Sequence, residues 1–422
     1  MDDMNKGYCL VLSGGGVKGV YHLGVWKALK ELGVEVDAFI GTSIGAVVAG
    51  LLAQPEVGSL DGLAESIGVD SIVALPDSFV EEGRISLGKE SLSETQDLFQ
   101  SIVRNGGLDT SPLRNLLESL IDEEAIRRSG KDLGIVTINL SNFRPREMFI
   151  EEMEKGTVID YLMASAAFPG FRQPVIKGKK YLDGGIFDNI PYAMARQRGY
   201  RRIIISDISG LGLNRRPETE GSITIHIKNS INMGGVLDFD RGFMKDFERL
   251  GYLDTLRVFG ELEGYAYFIE PAMKHGAEDP LPPNEAKGLA QTAADPTPAF
   301  PKAMSHDRNM RLKYLECAAS IVEVPRIARY SCEELAAAIA EKRNGDENKL
   351  AEIMDGGSDR KAAIVAMIRE SIASGNFKGS PYYYHRLIEE FLPKSAGKML
   401  VKALARLFPE LPAGLHYMRT VP

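Results

Sequence analysis

The sequence is poor in the residues that build metal sites and disulfide frameworks: three cysteines and six histidines in 422 residues. Cys9, Cys317 and Cys332 have neither zinc-ligand nor disulfide spacing, so each reads as a small buried hydrophobe in a reducing compartment. Neither a metal nor a cofactor is expected. There is no run of about 18 apolar residues, and therefore no expected transmembrane helix. The acidic opening MDDMNKG lacks the basic start of a signal peptide. A soluble, cytoplasmic chain is the expectation. Positive charge is not in excess either: 50 Lys and Arg face 58 Asp and Glu, a net charge of −8. That balance argues against a general nucleic-acid binder, which needs a basic face to neutralise phosphates.

What the chain does have is an ordinary apolar fraction, 44%, and 43 glycines. Its length suits two or three domains, or one large domain with an extension. Strand-like runs at 7–13, 34–40, 133–140, 175–182, 202–206 and 223–227 alternate with helical patterns at 21–32, 44–53, 112–120 and 191–198. Such alternation predicts an α/β fold with a mostly parallel central sheet flanked by helices. Seven of the 21 prolines lie between Pro271 and Pro301, too many for a continuous helix or central strand. Beyond them the pattern is helical. The expected division is a catalytic domain over 1–270, a Pro-rich linker over 271–308 and a helical C-terminal region over 309–422.

Three motifs carry chemistry. Gly14-Gly15-Gly16-Val17-Lys18-Gly19 lies between a strand and a helix, where backbone amides can hold a phosphate or the oxyanion of acyl transfer. Gly41-Thr42-Ser43-Ile44-Gly45, also between strand and helix, has the form of a nucleophile elbow, a tight turn that holds its serine at the sheet's carboxyl edge. Asp183-Gly184-Gly185 follows a strand and offers a carboxylate base. None of the six histidines sits in a local motif that would orient a catalytic imidazole.

In this order and spacing the motifs resemble the patatin-like phospholipase family. Ala164-Ser165-Ala166-Ala167-Phe168-Pro169, Phe187-Asp188-Asn189-Ile190-Pro191 and the segment DTSPLRNLL at 109–117 add to the resemblance, which covers roughly residues 7–270. It implies a three-layer patatin-like fold and a Ser–Asp dyad, with Ser43 the nucleophile and Asp183 the base. It also implies an oxyanion hole from the amides of Gly14, Gly15 and Gly16. Gly19, Gly41, Gly45, Gly184 and Gly185 shape these turns, and Lys18 matches the loop's usual basic residue, structural or attracting anionic head groups. The activity implied is hydrolysis of fatty-acyl esters of lipids.

Two other readings compete. A dinucleotide-binding unit would set Gly14, Gly16 and Gly19 on a pyrophosphate and Glu35 or Asp37 on the ribose. A non-catalytic lipid-binding protein is the other. Finally, Lys394, Lys398, Lys402 and Arg406 recur every four residues among apolar neighbours, so residues 394–408 could form a basic amphipathic helix at a membrane.

Overall fold

The computed structural model describes residues 6–55, 62–63, 67–75, 80–81, 84–85, 106–215, 217–235, 241–271, 308–354 and 361–420. Most of the expected linker therefore lies outside the described residues. The chain divides into two compact units, Met1–Phe259 and Gly260–Pro422.

The first unit is built on an eight-stranded sheet. In chain order its strands are β1 (Tyr8–Leu12), β2 (Val36–Thr42), β3 (Asp132–Asn139), β4 (Arg144–Phe149), β5 (Val175–Ile176), β6 (Lys179–Asp183), β7 (Arg202–Asp207) and β8 (Ile223–Lys228). Strands β8, β7, β1, β2 and β3 run parallel in that spatial order. Parallel strands are covered on both faces, which explains why β1 is apolar throughout rather than alternating. Cys9, Val11 and Ile40 pack with Tyr192 and Ala195 of the helix Tyr192–Gln197 on one face. On the other, Trp26 of α1 (Val20–Glu31) meets the Phe39 ring edge-on with centroids 5.3 Å apart. The helix Arg241–Val258 lies against α1 at glycine contacts, since a Cβ on Gly24 would overlap the carbonyl of Glu248.

The expected strand over 175–182 is two strands. Lys177 and Gly178 both take positive φ, 51° and 72°, the geometry of a tight hairpin turn. The run Lys177-Gly178-Lys179-Lys180, with its glycine, marks this break between the apolar pairs Val175-Ile176 and Tyr181-Leu182. Strand β4 and the helices Glu123–Arg128, Val158–Ser165 and Arg241–Val258 are also absent from the expected pattern; β4 is half polar and forms only as the antiparallel partner of β3.

Strand register places the site. Strand β4 occupies one edge of β3 over 134–139. Thr42 of β2 pairs with Val136 on the other edge, and Asp183 of β6 pairs antiparallel with Thr137. Strands β2 and β6 thus approach along the same edge from opposite directions and meet head-on, bringing together the residues that end them.

The second unit is helical, as expected: Arg308–Ile321, Cys332–Met354, Lys361–Ser374, Pro381–Phe391, Lys394–Leu407 and Leu411–Thr420. Its core gathers Leu315, Ile339, Ile368, Leu387, Leu404 and Leu411. Helix Lys394–Leu407 is amphipathic, with Lys394, Lys398, Lys402 and Arg406 exposed. Its apolar side is largely spent on that core: Leu404 is buried and Leu400, Val401 and Phe408 pack against it, while Met399 and Leu407 remain exposed. No helix among the described residues is long and apolar enough to cross a membrane.

Candidate active site

Ser43 sits between β2 and α2 (Ile44–Leu52) with φ 56° and ψ −129°, a conformation that L-residues adopt only when their surroundings enforce it. The two flanking glycines make the turn sterically possible. A Cβ on Gly41 would overlap the carbonyl of Gly45, and a Cβ on Gly45 would overlap that of Leu12 in β1. The elbow is therefore tight against the central strand, with the serine held proud of the sheet.

The Ser43 hydroxyl donates to Asp183 Oδ2 at 2.7 Å, and the other carboxylate oxygen, Oδ1, accepts the Gly185 N–H at 2.7 Å. Asp183 is 4% exposed. Burial pushes its carboxyl up to about 6, against the opposing pull of the bonds from Ser43 and Gly185. Gly184 has no room for a side chain, because a Cβ there would overlap the Val136 carbonyl. Each glycine of this turn thus serves the aspartate, Gly185 by its amide and Gly184 by its bareness.

Of the three glycines expected to supply oxyanion donors, Gly14 is otherwise engaged: its N–H donates to the Asn189 carbonyl at 3.2 Å. Gly15 and Gly16 line the same cavity as Ser43. Gly19 lies directly beneath Ile44, where a Cβ would overlap that side chain, so it joins the loop to the elbow helix. Lys18 is buried in the single turn Gly16–Gly19, and burial lowers its pKa. It does not line the cavity.

Several positioning groups are not legible in the sequence. Ser165 is fully buried; it accepts the Ser43 N–H at 2.9 Å and donates to the Val136 carbonyl at 2.6 Å. The segment 164–169 belongs to the family resemblance, but nothing local tells that its serine holds the elbow. Ser165→Ala would strand a buried amide and a buried carbonyl. It is expected to cost about 2 kcal/mol in urea unfolding and to lower kcat more than it raises KM for a soluble ester. His22 is likewise buried: its Nε2 bonds to the Ser13 carbonyl at 2.9 Å and its Nδ1 to Ser206 Oγ at 2.7 Å. Since a carbonyl only accepts, Nε2 carries the proton and the ring is neutral; burial takes its pKa down to about 4. Its role here is to tie α1 to the residue before the glycine loop. The segment 208–213 forms a further wall. Gly210 approaches Gly14 so closely that a Cβ would overlap its carbonyl, and the Leu213 N–H donates to the Gly185 carbonyl at 2.9 Å.

The cavity beside Ser43 measures about 310 Å³. Apart from the dyad it is walled mainly by aliphatic and aromatic side chains, among them Val20, Leu51, Leu117, Phe168, Phe171 and Met244. Such a lining suits a hydrocarbon chain rather than a charged cofactor. Asp37 accepts the Gly7 N–H at 2.6 Å at the start of β2, whereas the glycine loop follows the end of the parallel strand β1. The two lie at opposite edges of the sheet, so Asp37 does not reach a group bound at the loop. Among the described residues, no cluster of three or more His, Cys, Asp or Glu side chains could hold a metal ion.

Residues 10–196 match the family model described as patatin-like phospholipase. The chain is similar to patatin-like phospholipase domain-containing protein ZK370.4 of Caenorhabditis elegans, 29% identical over 208 residues. It is also similar to lysophospholipase NTE1 of Candida albicans, 30% identical over 227 residues, and to mouse patatin-like phospholipase domain-containing protein 6, 28% over 206. These matches cover 48%, 51% and 47% of this chain but only 14%, 14% and 13% of the relatives' own lengths. Among solved structures, VipD from Legionella pneumophila aligns with a TM-score of 0.34 and 15% identity, covering 97% of this chain and 90% of that one. So low a score carries no argument about the fold.

Proposed function

With residues 10–196 forming a patatin-like phospholipase domain, we propose that the protein is a serine hydrolase of lipid acyl esters working through a Ser43–Asp183 dyad. The observation that carries this reading is the 2.7 Å bond from the Ser43 hydroxyl to a buried carboxylate, both groups lining an apolar cavity.

In the proposed reaction Asp183 takes the Ser43 proton as Oγ attacks the ester carbonyl. The tetrahedral oxyanion is received by the N–H groups of Gly15 and Gly16. Collapse expels the alcohol with the proton held by Asp183 and leaves an acyl-serine. Water, deprotonated by the same carboxylate, then releases the fatty acid and restores the dyad. A carboxylate of ordinary pKa is a weak base at neutrality. Burial of Asp183 narrows that gap, and its second oxygen stays fixed by Gly185 throughout.

The apolar lining of the cavity suits an acyl chain. Since several relatives are named lysophospholipases, a monoacyl phospholipid is the first lipid to assay. The test compares wild type, Ser43→Ala and Asp183→Asn on a p-nitrophenyl ester, a lysophospholipid and a diacyl phospholipid. Dyad-dependent cleavage of the first two supports the reading; undiminished hydrolysis in either variant rejects it.

The base must be ionised to act, so kcat/KM should rise with pH through an apparent pKa near 6 and level off above it. A pH–rate profile on a neutral ester checks this, and a limb near 4 would mean that burial does not tune the carboxylate.

A further inference from the structure

Among the described residues the first unit exposes six large hydrophobic side chains: Phe143, Val175, Ile186, Leu211, Leu213 and Phe243. They are not scattered. Phe143 tips the β3–β4 hairpin, which leaves the sheet at the carboxyl end of β3. Val175 pairs with Lys180, whose carbonyl accepts the N–H of Leu140, just past that same end. Leu211 and Leu213 follow the carboxyl end of β7, and Ile186 follows Asp183. Phe243 adjoins Met244, which with Ile186 and Leu211 lines the cavity. All six belong to the edge from which Ser43 emerges.

Three details argue that this exposure is built in. Phe143 is 79% exposed while holding φ 51°, a strained conformation for a bulky residue, with no packing to offset the strain. Backbone bonds from the Leu213 N–H to the Gly185 carbonyl and from the Asn189 N–H to the Leu213 carbonyl fix the 211–213 loop, so its apolar side chains are held outward. Interspersed with them are Arg144, Lys179 and Lys180, all exposed and none ion-paired among the described residues, in a chain of net charge −8. Apolar side chains ringed by unpaired cations suit a lipid surface bearing anionic headgroups.

We infer that the carboxyl edge of the sheet is the surface that docks on an anionic lipid bilayer, delivering an acyl chain directly into the cavity. This rests on the lipid acyl hydrolase reading. It assigns membrane contact to the catalytic unit instead of helix Lys394–Leu407, whose apolar side is mostly consumed by its own core.

The test uses the full chain as Ser43→Ala, which binds without turnover. Its co-sedimentation is measured with phosphatidylcholine vesicles, with and without phosphatidylglycerol. Phe143→Asp/Val175→Asp should weaken partitioning about tenfold or more. Lys179→Glu/Lys180→Glu should abolish the preference for phosphatidylglycerol. In the Ser43 background, both pairs should keep wild-type kcat/KM on a soluble ester, which also reports folding. Should the first pair fail that check, the lysine pair decides alone. The inference is overturned if the protein ignores vesicles, if neither pair changes partitioning, or if only Lys398→Glu/Lys402→Glu does. Failure of the hydrolase reading would show separately, as soluble-ester cleavage indifferent to Ser43.

Discussion

Ser43→Ala is expected to lower kcat/KM for an acyl ester by roughly 10⁵–10⁶, and Asp183→Asn by roughly 10⁴. The serine supplies the covalent intermediate, and none of the described histidines lines the cavity to stand in for the base. Loss of the aspartate leaves a hydroxyl without a proton acceptor, though still at its place in the elbow. Because the two act as one unit, the double variant should be no slower than Ser43→Ala by more than a few-fold; additive losses would mean that they act independently. Residual activity above the uncatalysed rate would then report the glycine loop and cavity alone.

The second large effect is on stability, and it runs the other way. Asp183 has its carboxyl pushed up to about 6 by burial, while an unfolded aspartate ionises near 3.8. Between those pH values the folded protein binds more protons than the unfolded chain, so stability falls as pH rises through the window. Two pKa units correspond to about 3 kcal/mol at neutral pH. In the Asp183→Asn variant the side-chain amide oxygen would still accept from the Gly185 N–H, and no buried charge would remain. Asp183→Asn is therefore expected to be more stable than wild type by up to about 3 kcal/mol at pH 7, with the difference closing towards pH 4. Urea unfolding at the two pH values measures it. A variant less stable than wild type at pH 7 would mean that the ionised carboxylate is a net structural asset. The prediction pairs inactivity with extra stability, as expected where a site keeps a costly buried charge for its chemistry.

Local chemistry explains which parts of this site the sequence reveals. The elbow needs Gly41 and Gly45 because a Cβ at either would overlap backbone, and such a demand leaves its mark on the adjacent residues. The Asp183 turn reads out for the same reason. Ser165, His22 and the 208–213 loop do not, because each acts across the fold: Ser165 reaches residues 122 and 29 positions away, and His22 reaches Ser206. The 175–183 hairpin, by contrast, is marked locally by Lys177-Gly178-Lys179-Lys180, a turn signal that the expectation of a single strand over 175–182 passes over. The head-on meeting of β2 and β6, which joins Ser43 to Asp183, is a matter of register along β3 and has no sequence signature at all. The glycine loop shows the opposite failure, since three amides look equivalent in sequence until the Asn189 carbonyl takes the one from Gly14.

Whether Ser43 is a nucleophile activated by Asp183 is tested most directly by covalent capture. Incubation with an alkyl fluorophosphonate, followed by intact mass and peptide mapping, should give a single adduct on Ser43. That adduct should be absent from Ser43→Ala and form much more slowly in Asp183→Asn. An unmodified Ser43, or an adduct on another serine in a protein whose Ser43→Ala variant still cleaves esters, would contradict the account.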